Sequence, residues 1–310
     1  RQWRYEPLSY AQLKERRDRL AAGLAEQGLV KGKRVGILTD GGSEPLLVFL
    51  AADFLGLSAV PLCIKSPDEV LAHSIDHSGI ELLVVDRRGY EQFGQIRARL
   101  GKVPQLALTE GRAEDALPWD QLMASDAPLP EVEVLPQDES KILYTSGSSG
   151  LPKGVIQTHA NIVANVEEVW DAISPRESFR MFKSVPDYHS MGILNIYFPL
   201  AKGWTLDLAR SPDRVLSDIR LSEPDGFLTV PLILDKVYGN VRKEIQAGGV
   251  KGHLIQRSVA AKERLARGQA GFGDQLLLAI VGRSIIAKIR AQLANRVGPN
   301  LDVLIIGSAQ

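Results

Sequence analysis

The chain has 310 residues, 45% of them hydrophobic and 24% charged, so it is long enough for about two domains and wholesale disorder is excluded. Its 37 Lys+Arg balance 37 Asp+Glu, which excludes a dedicated nucleic-acid binder, since that needs a phosphate-neutralising excess of cations. A single cysteine, Cys63, rules out an internal disulfide and a Cys-rich metal site and fits a reducing, cytoplasmic or membrane-peripheral location. The longest apolar runs, such as residues 45–52, fall short of the ~20 residues of a membrane helix.

Taken in order, Ser9 reads as the N-cap of an amphipathic helix that carries Leu13, Leu20, Ala21 and Leu24 and closes at Gly28. A buried strand over 34–38 follows, then an apolar helix over 44–55 ended by Gly56. Strands are expected at 59–62, 81–85 and 105–108, with helices at 67–77 and 91–100 between them. This alternation predicts a mainly parallel sheet covered on both faces. Residues 110–140 hold Pro118, Pro128, Pro130 and Pro136 among acidic residues and read as a connector. The expected domains are therefore 1–135 and 136–310.

In the second region strands are expected at 142–145, 181–185, 204–209, 227–230 and 301–306. Helices are expected at 159–170, 213–221, 233–245, 255–267 and 275–296. The chain starts at Arg1 and closes on an apolar strand just turning into a loop at Gly307, as a piece of a longer polypeptide would.

Tyr144-Thr145-Ser146-Gly147-Ser148-Ser149-Gly150-Leu151-Pro152-Lys153-Gly154-Val155 stands apart. Glycines let backbone N–H groups approach an anion, hydroxyls donate to phosphate oxygens, and Lys153 adds charge, which together make a phosphate cradle. Composition alone favours a plain Ser/Gly surface turn. The preceding strand, the Pro-Lys-Gly that follows and the helix beyond favour the cradle. It is not a Walker A loop, because Pro152 stands five residues after Gly147. Gly268, Gly271 and Gly273 lack the spacing and the strand of a dinucleotide fingerprint.

Residues 144–155 resemble the signature loop of the adenylate-forming superfamily, differing at Ser149, where threonine is commoner. Thr158-His159-x-Asn161, the segment Pro186-Asp187-Tyr188-His189-Ser190-Met191-Gly192 and the terminal Ile305-Ile306-Gly307-Ser308-Ala309 are similar to further family segments. The resemblance spans essentially the whole chain. It implies an α/β fold of two stacked subdomains with mixed, mainly parallel sheets covered by helices, the family's N-terminal domain without its C-terminal one.

The implied chemistry has two steps, acyl-adenylate formation from a carboxylate and ATP, then transfer to a thiol. The resemblance gives Thr145, Lys153 and His189 catalytic roles, with Thr145 as a Mg²⁺ ligand alongside a Glu beyond the chain end. Ser146, Gly147, Ser148, Ser149 and Gly150 would join Thr145 and Lys153 on the β- and γ-phosphates. Tyr188, His189, Met191 and Gly192 would border the acyl substrate, and Gly307, Ser308 and Ala309 the adenine. Residues 224–245 resemble long-chain fatty acyl-CoA synthetases, so coenzyme A is the expected acceptor. A carrier-protein thiol, as in fatty acyl-AMP ligases, and a catalytically inactive nucleotide-binding module are the alternatives. Because the family's later Glu, Asp and Lys are absent, these 310 residues alone are not expected to form adenylate.

Other features have plainer readings. Met191, Ile193, Leu194 and Ile196 could line an acyl tunnel, though each taken singly reads first as core. His73 and His77 stand four apart but lack a third metal ligand, so a solvated helix face is expected. His159 is expected to organise a loop–helix junction, and Cys63 to be a buried inert thiol. The cluster of Lys14, Arg16, Arg17 and Arg19 alternates with acids and reads as solvated surface.

Overall fold

The computed structural model describes residues 5–145, 150–173, 177–229, 239, 249–279 and 300–306. In chain order the elements begin α1 (Tyr10–Glu26), β1 (Arg34–Leu38), α2 (Glu44–Leu55), β2 (Ser58–Pro61), α3 (Asp68–Ser78), β3 (Leu82–Val85) and α4 (Arg87–Ile96). Next come β4 (Gln105–Leu108), β5 (Ala116–Pro118), α5 (Trp119–Met123), β6 (Glu139–Thr145), β7 (Lys153–Thr158) and α6 (His159–Ile173). Then follow β8 (Arg180–Lys183), α7 (Ser190–Ala201), β9 (Thr205–Leu208), α8 (Val215–Ser222), β10 (Gly226–Thr229), α9 (Gly249–Ala266), α10 (Phe272–Leu277) and β11 (Val303–Ile306). Two compact units result, Arg1–Ser178 with Lys183–Pro212, and Phe179–Phe182 with Asp213–Gln310.

The first unit is built on a sheet of order β5-β4-β3-β1-β2-β6-β7. All its pairings are parallel except the β6–β7 hairpin. Alternate side chains of each strand supply opposite faces, as the pleat requires. Val35, Ile37, Leu82, Val84 and Leu143 join the core that α1, α2 and α7 cover, through Leu20, Leu24, Phe49, Leu55, Ile193 and Ile196. Leu38, Leu83, Val85 and Ile142 join the one under α3 and α4, with Leu71, Ile75, Phe93 and Ile96. Ser9 caps α1 as expected, in a reciprocal box with Gln12.

In the second unit β10 pairs in parallel with β8 and β11, and Phe227 and Leu228 are buried. Val215 and Ile219 of α8 are buried, and Arg264 of α9 pairs with Asp274 of α10 at 2.6 Å.

Several expectations need correction. The connector contains β5 and α5, because Leu117, Trp119 and Leu122 pack onto the core. The units do not divide at 135/136, because β6 and β7 join the first sheet and the chain passes through β8 before returning for α7. Neither β7 nor α7 was expected. Most of each helix expected at 233–245 and 275–296 lies outside the described residues. No helix among the described residues is long and apolar enough to cross a membrane.

Candidate active site

Open parallel sheets bind ligands beyond the carboxyl ends of their strands. Here β2 and β6 are neighbours in register, Ala59 opposite Lys141, so Cys63 and Thr145, each four residues further on, leave the sheet at the same edge. Thr145 ends β6 and pairs across the hairpin with Lys153, the first residue of β7. Its hydroxyl lies 3.5 Å from the Lys153 carbonyl, a grazing contact, and both side chains are exposed. A threonine and a lysine thus face each other across the head of the hairpin. Gly154 permits this arrangement, because a Cβ there would lie 3.0 Å from Ile142 Cγ2 and 3.4 Å from the Tyr144 ring. Gly150 is exposed, whereas Ser146, Gly147, Ser148 and Ser149 lie outside the described residues.

The second expected segment reaches the same edge. Tyr188 lies beside the Cys63 side chain, and burial, reinforced by Cys63 and by the carboxylates of Asp40 and Asp187, pushes its phenol well above the ordinary tyrosine range. Cys63 is half-buried and in contact with this tyrosine, which corrects the buried inert thiol. The Tyr188 and His189 rings meet at 4.6 Å. Partial desolvation lowers the His189 pKa, so the imidazole is neutral near pH 7.

His189 is also the N-cap position of α7, with no side-chain cap, so the helix presents its open amides here. Gly192 lets the preceding turn fold tightly onto this helix end. A Cβ there would sit 1.9 Å from the Pro186 carbonyl oxygen. Met191 is half-buried, while Ile193 and Ile196 belong to the core, as their plainer reading held.

Thr158 and Asn161 explain their motif locally. The Thr158 amide donates to Asn161 Oδ1 at 3.0 Å and the Asn161 amide to Thr158 Oγ1 at 3.2 Å, which caps α6. His159 sits at this junction, with its amide donating to the Asp138 carbonyl and its imidazole 3.9 Å from Asp53.

Sequence reasoning missed the polar centre beneath the hairpin. Lys141 is fully buried and donates to Asp53 at 2.6 Å, Ser140 donates to the same oxygen at 2.7 Å, and Tyr197 donates to the other. Burial lowers the Lys141 pKa against the pull of Asp53. One lysine before an apolar run was its sole signal. A cavity of about 480 Å³ reaches this centre, lined by Tyr10, Phe54, Asp53 and Tyr197 among others. It includes none of Tyr188, His189, Met191 and Gly192, so it is not the expected acyl site.

The donor set at the hairpin head fits a phosphate anion, since Thr145 and Lys153 bring hydrogen-bond donors and positive charge. For Mg²⁺ it is incomplete. One hydroxyl is a single ligand, and no cluster of metal-ligating side chains occurs among the described residues.

A family profile described as AMP-binding enzyme matches residues 2–301. Long chain acyl-CoA synthetase 6, peroxisomal, of Arabidopsis thaliana is 25% identical over 94% of this chain and 43% of its own length. Long-chain-fatty-acid–CoA ligase FadD13 of Mycobacterium tuberculosis is 28% identical over 64% of this chain and 39% of its own. The chain thus spans less than half the length of these relatives. Among solved structures, the inhibitor-bound N-terminal domain of FACL13 from Mycobacterium tuberculosis superposes with a TM-score of 0.66 at 26% identity, covering 74% of this chain and 58% of that one.

Proposed function

The chain belongs to the AMP-binding enzyme family, and from this we propose that its protein joins a long-chain fatty acid to coenzyme A through an acyl-adenylate. The observation that carries the reading is the Thr145–Lys153 pair at the carboxyl edge of the sheet, at the two stems of a Ser/Gly loop. The long-chain assignment is supported by the names of the relatives.

In the first step a carboxylate oxygen bonds to the α-phosphorus of ATP as the bond to the β-phosphate oxygen breaks, releasing pyrophosphate. Lys153, Thr145, Gly150 and the Ser146–Ser149 stretch hold the leaving β- and γ-phosphates, so positioning and charge neutralisation lower the barrier. Mg²⁺, when bound with the nucleotide, supplies further neutralisation of those phosphates, and Thr145 is the ligand this chain offers it. Neutral His189 and protonated Tyr188 border the acid beside the open amides of α7. Gly307, Ser308 and Ala309, just after β11, are assigned to the adenine. In the second step a thiolate attacks the acyl carbonyl, forming the thioester and expelling AMP.

A pyrophosphate-release screen across carboxylic acids, run on the intact protein, tests the reading. Long-chain acids with ATP and coenzyme A should yield free acyl-CoA. Transfer only to a carrier-protein thiol would replace the acceptor, and ATP binding without turnover of any acid would mean an inactive nucleotide-binding module. Thr145→Val and Lys153→Ala should each lower pyrophosphate release about ten- to a hundredfold, the worth of a charge-assisted phosphate contact. Unchanged ATP turnover in both variants would refute the assignment of these residues.

A further inference from the structure

We propose that His73 and His77 are positioning residues that clamp both stems of the phosphate loop to α3. The inference rests on the reading of residues 145–153 as that loop. The His73 Nε2–H donates to the Pro152 carbonyl at 3.1 Å, just before β7, and His77 Nδ1 shares a 2.9 Å hydrogen bond with the Tyr144 hydroxyl, near the end of β6. The two imidazoles stack on each other at 5.3 Å and 26°, and the His77 ring meets the Tyr144 ring edge-on at 5.9 Å. A continuous path therefore runs from Pro152 through His73 and His77 to Tyr144. Tyr144, just before the loop, and Pro152, just before β7, are tied together through a helix 67 to 79 positions away in sequence.

That helix is a firm support. Leu71, Ala72, Ser74, Ile75 and Ser78 are buried, and Asp76, between the two histidines, accepts from the Gly101 amide. The Ser78 hydroxyl donates to the Ile75 carbonyl at 3.0 Å and so faces back into the helix. The i,i+4 spacing that looks like half a metal site has another use here. One turn of α3 separates the two rings just enough for each to reach a different stem. His77 is exposed, as the solvated-face expectation held, while His73 is half-buried, and both rings have partners on the stems.

Stems fixed before the nucleotide arrives lessen the ordering cost of binding it. The clamp thus acts on ATP and not on the acid.

The test uses the intact protein with His73→Leu, His77→Leu and their combination, against His73→Gln and His77→Asn, whose amides restore the lost polar atom. The combined leucine variant should raise KM for ATP about three- to tenfold, the size of one net hydrogen bond. It should leave KM for the acid and the melting temperature unchanged, and it should speed amide hydrogen exchange at 142–145 and 153–155. The amide-bearing pair should return both readouts toward the parent. Tyr144→Phe, which removes a single oxygen, reproduces the His77→Leu effect and covers the case in which the double variant does not fold. A KM for ATP within twofold of the parent, with stem exchange unchanged, overturns the clamp, as does an equal rise in both KM values with a lower melting temperature. Should the parent turn over no acid at all, the functional reading falls, and hydrogen exchange still decides the clamp.

Discussion

Gly192 shows how much one missing methyl group can hold in place. Its α-hydrogen faces the Pro186 carbonyl at a separation no Cβ tolerates, with the Cα of Asp187 only 3.1 Å from the same point. Gly192→Ala must therefore push the 186–189 turn off the first turn of α7, carrying Tyr188 and His189 with it. We expect a stability loss of about 1–3 kcal/mol, as for other overpacked positions. KM for the acid should rise well above the parent while KM for ATP stays put, because the hairpin stems lie in other elements. Parental KM for the acid at parental stability would show that this contact does not position the pair. The Pro-x-x-His-x-x-Gly spacing was legible in the sequence, but its mechanical reason was not. Whether a glycine is demanded depends on a carbonyl six residues back that approaches only after the turn closes. The partners of His73 and His77 were hidden for the same reason, since they come from 79 and 67 positions away.

At the scale of elements, strands β1 and β4 and helix α2 were legible to the residue, because buried apolar runs ended by turn residues leave little freedom. Strand β7 was not. It lies at the sheet edge with Lys153, Val155 and Ile156 exposed, and so lacks the burial alternation that marks a half-covered strand. Helix α7 was hidden by the opposite problem, being apolar almost all round with Pro199 inside. Asp53 of α2 ties these hard-to-read elements to the rest, accepting from Ser140 and Lys141 of β6 and Tyr197 of α7. Lys141 Nζ also donates to the Ser140 hydroxyl at 2.8 Å and lies near the rings of Phe49 and Tyr197, at 5.4 and 5.2 Å. Asp53→Ala leaves that ammonium buried without a counter-charge and should cost about 3–5 kcal/mol in a denaturant titration. Adding Lys141→Met should recover much of the loss, because a similar apolar shape removes the stranded charge. A loss below about 1 kcal/mol in the single variant would show that water or another group already compensates Lys141.

Over the whole molecule, the topology was the least legible feature. Phe179–Phe182 belongs to one unit and Lys183–Pro212 to the other, and nothing local distinguishes a strand that crosses from one that stays. Its stability against acid can nonetheless be derived from individual groups. His159 has its pKa lowered, chiefly by desolvation, and its Nε2 is buried without a hydrogen-bond partner. Desolvation lowers the His189 pKa as well. Above the ordinary histidine value of about 6.5 both rings are neutral whether the chain is folded or not, and they contribute no pH dependence. Below it the unfolded chain binds protons first, so stability falls as pH drops and levels once the folded rings also protonate.

A separate limb lies lower. Asp115, beside the Tyr90 hydroxyl and Arg97, Asp138, beside Lys31, and Asp274, beside Arg264, all have lowered pKa values. Their contribution is present above the ordinary aspartate value of about 3.9 and is lost beneath it. Urea midpoints measured from pH 8 to pH 3 should therefore show two descents. His159→Gln should shrink the upper one without abolishing it, since His189 remains, and leave the lower one in place. An upper descent of parental size in that variant would mean that His159 takes up its proton in the folded chain as readily as in the unfolded one. Asp53, 3.9 Å from its ring, would then outweigh the burial.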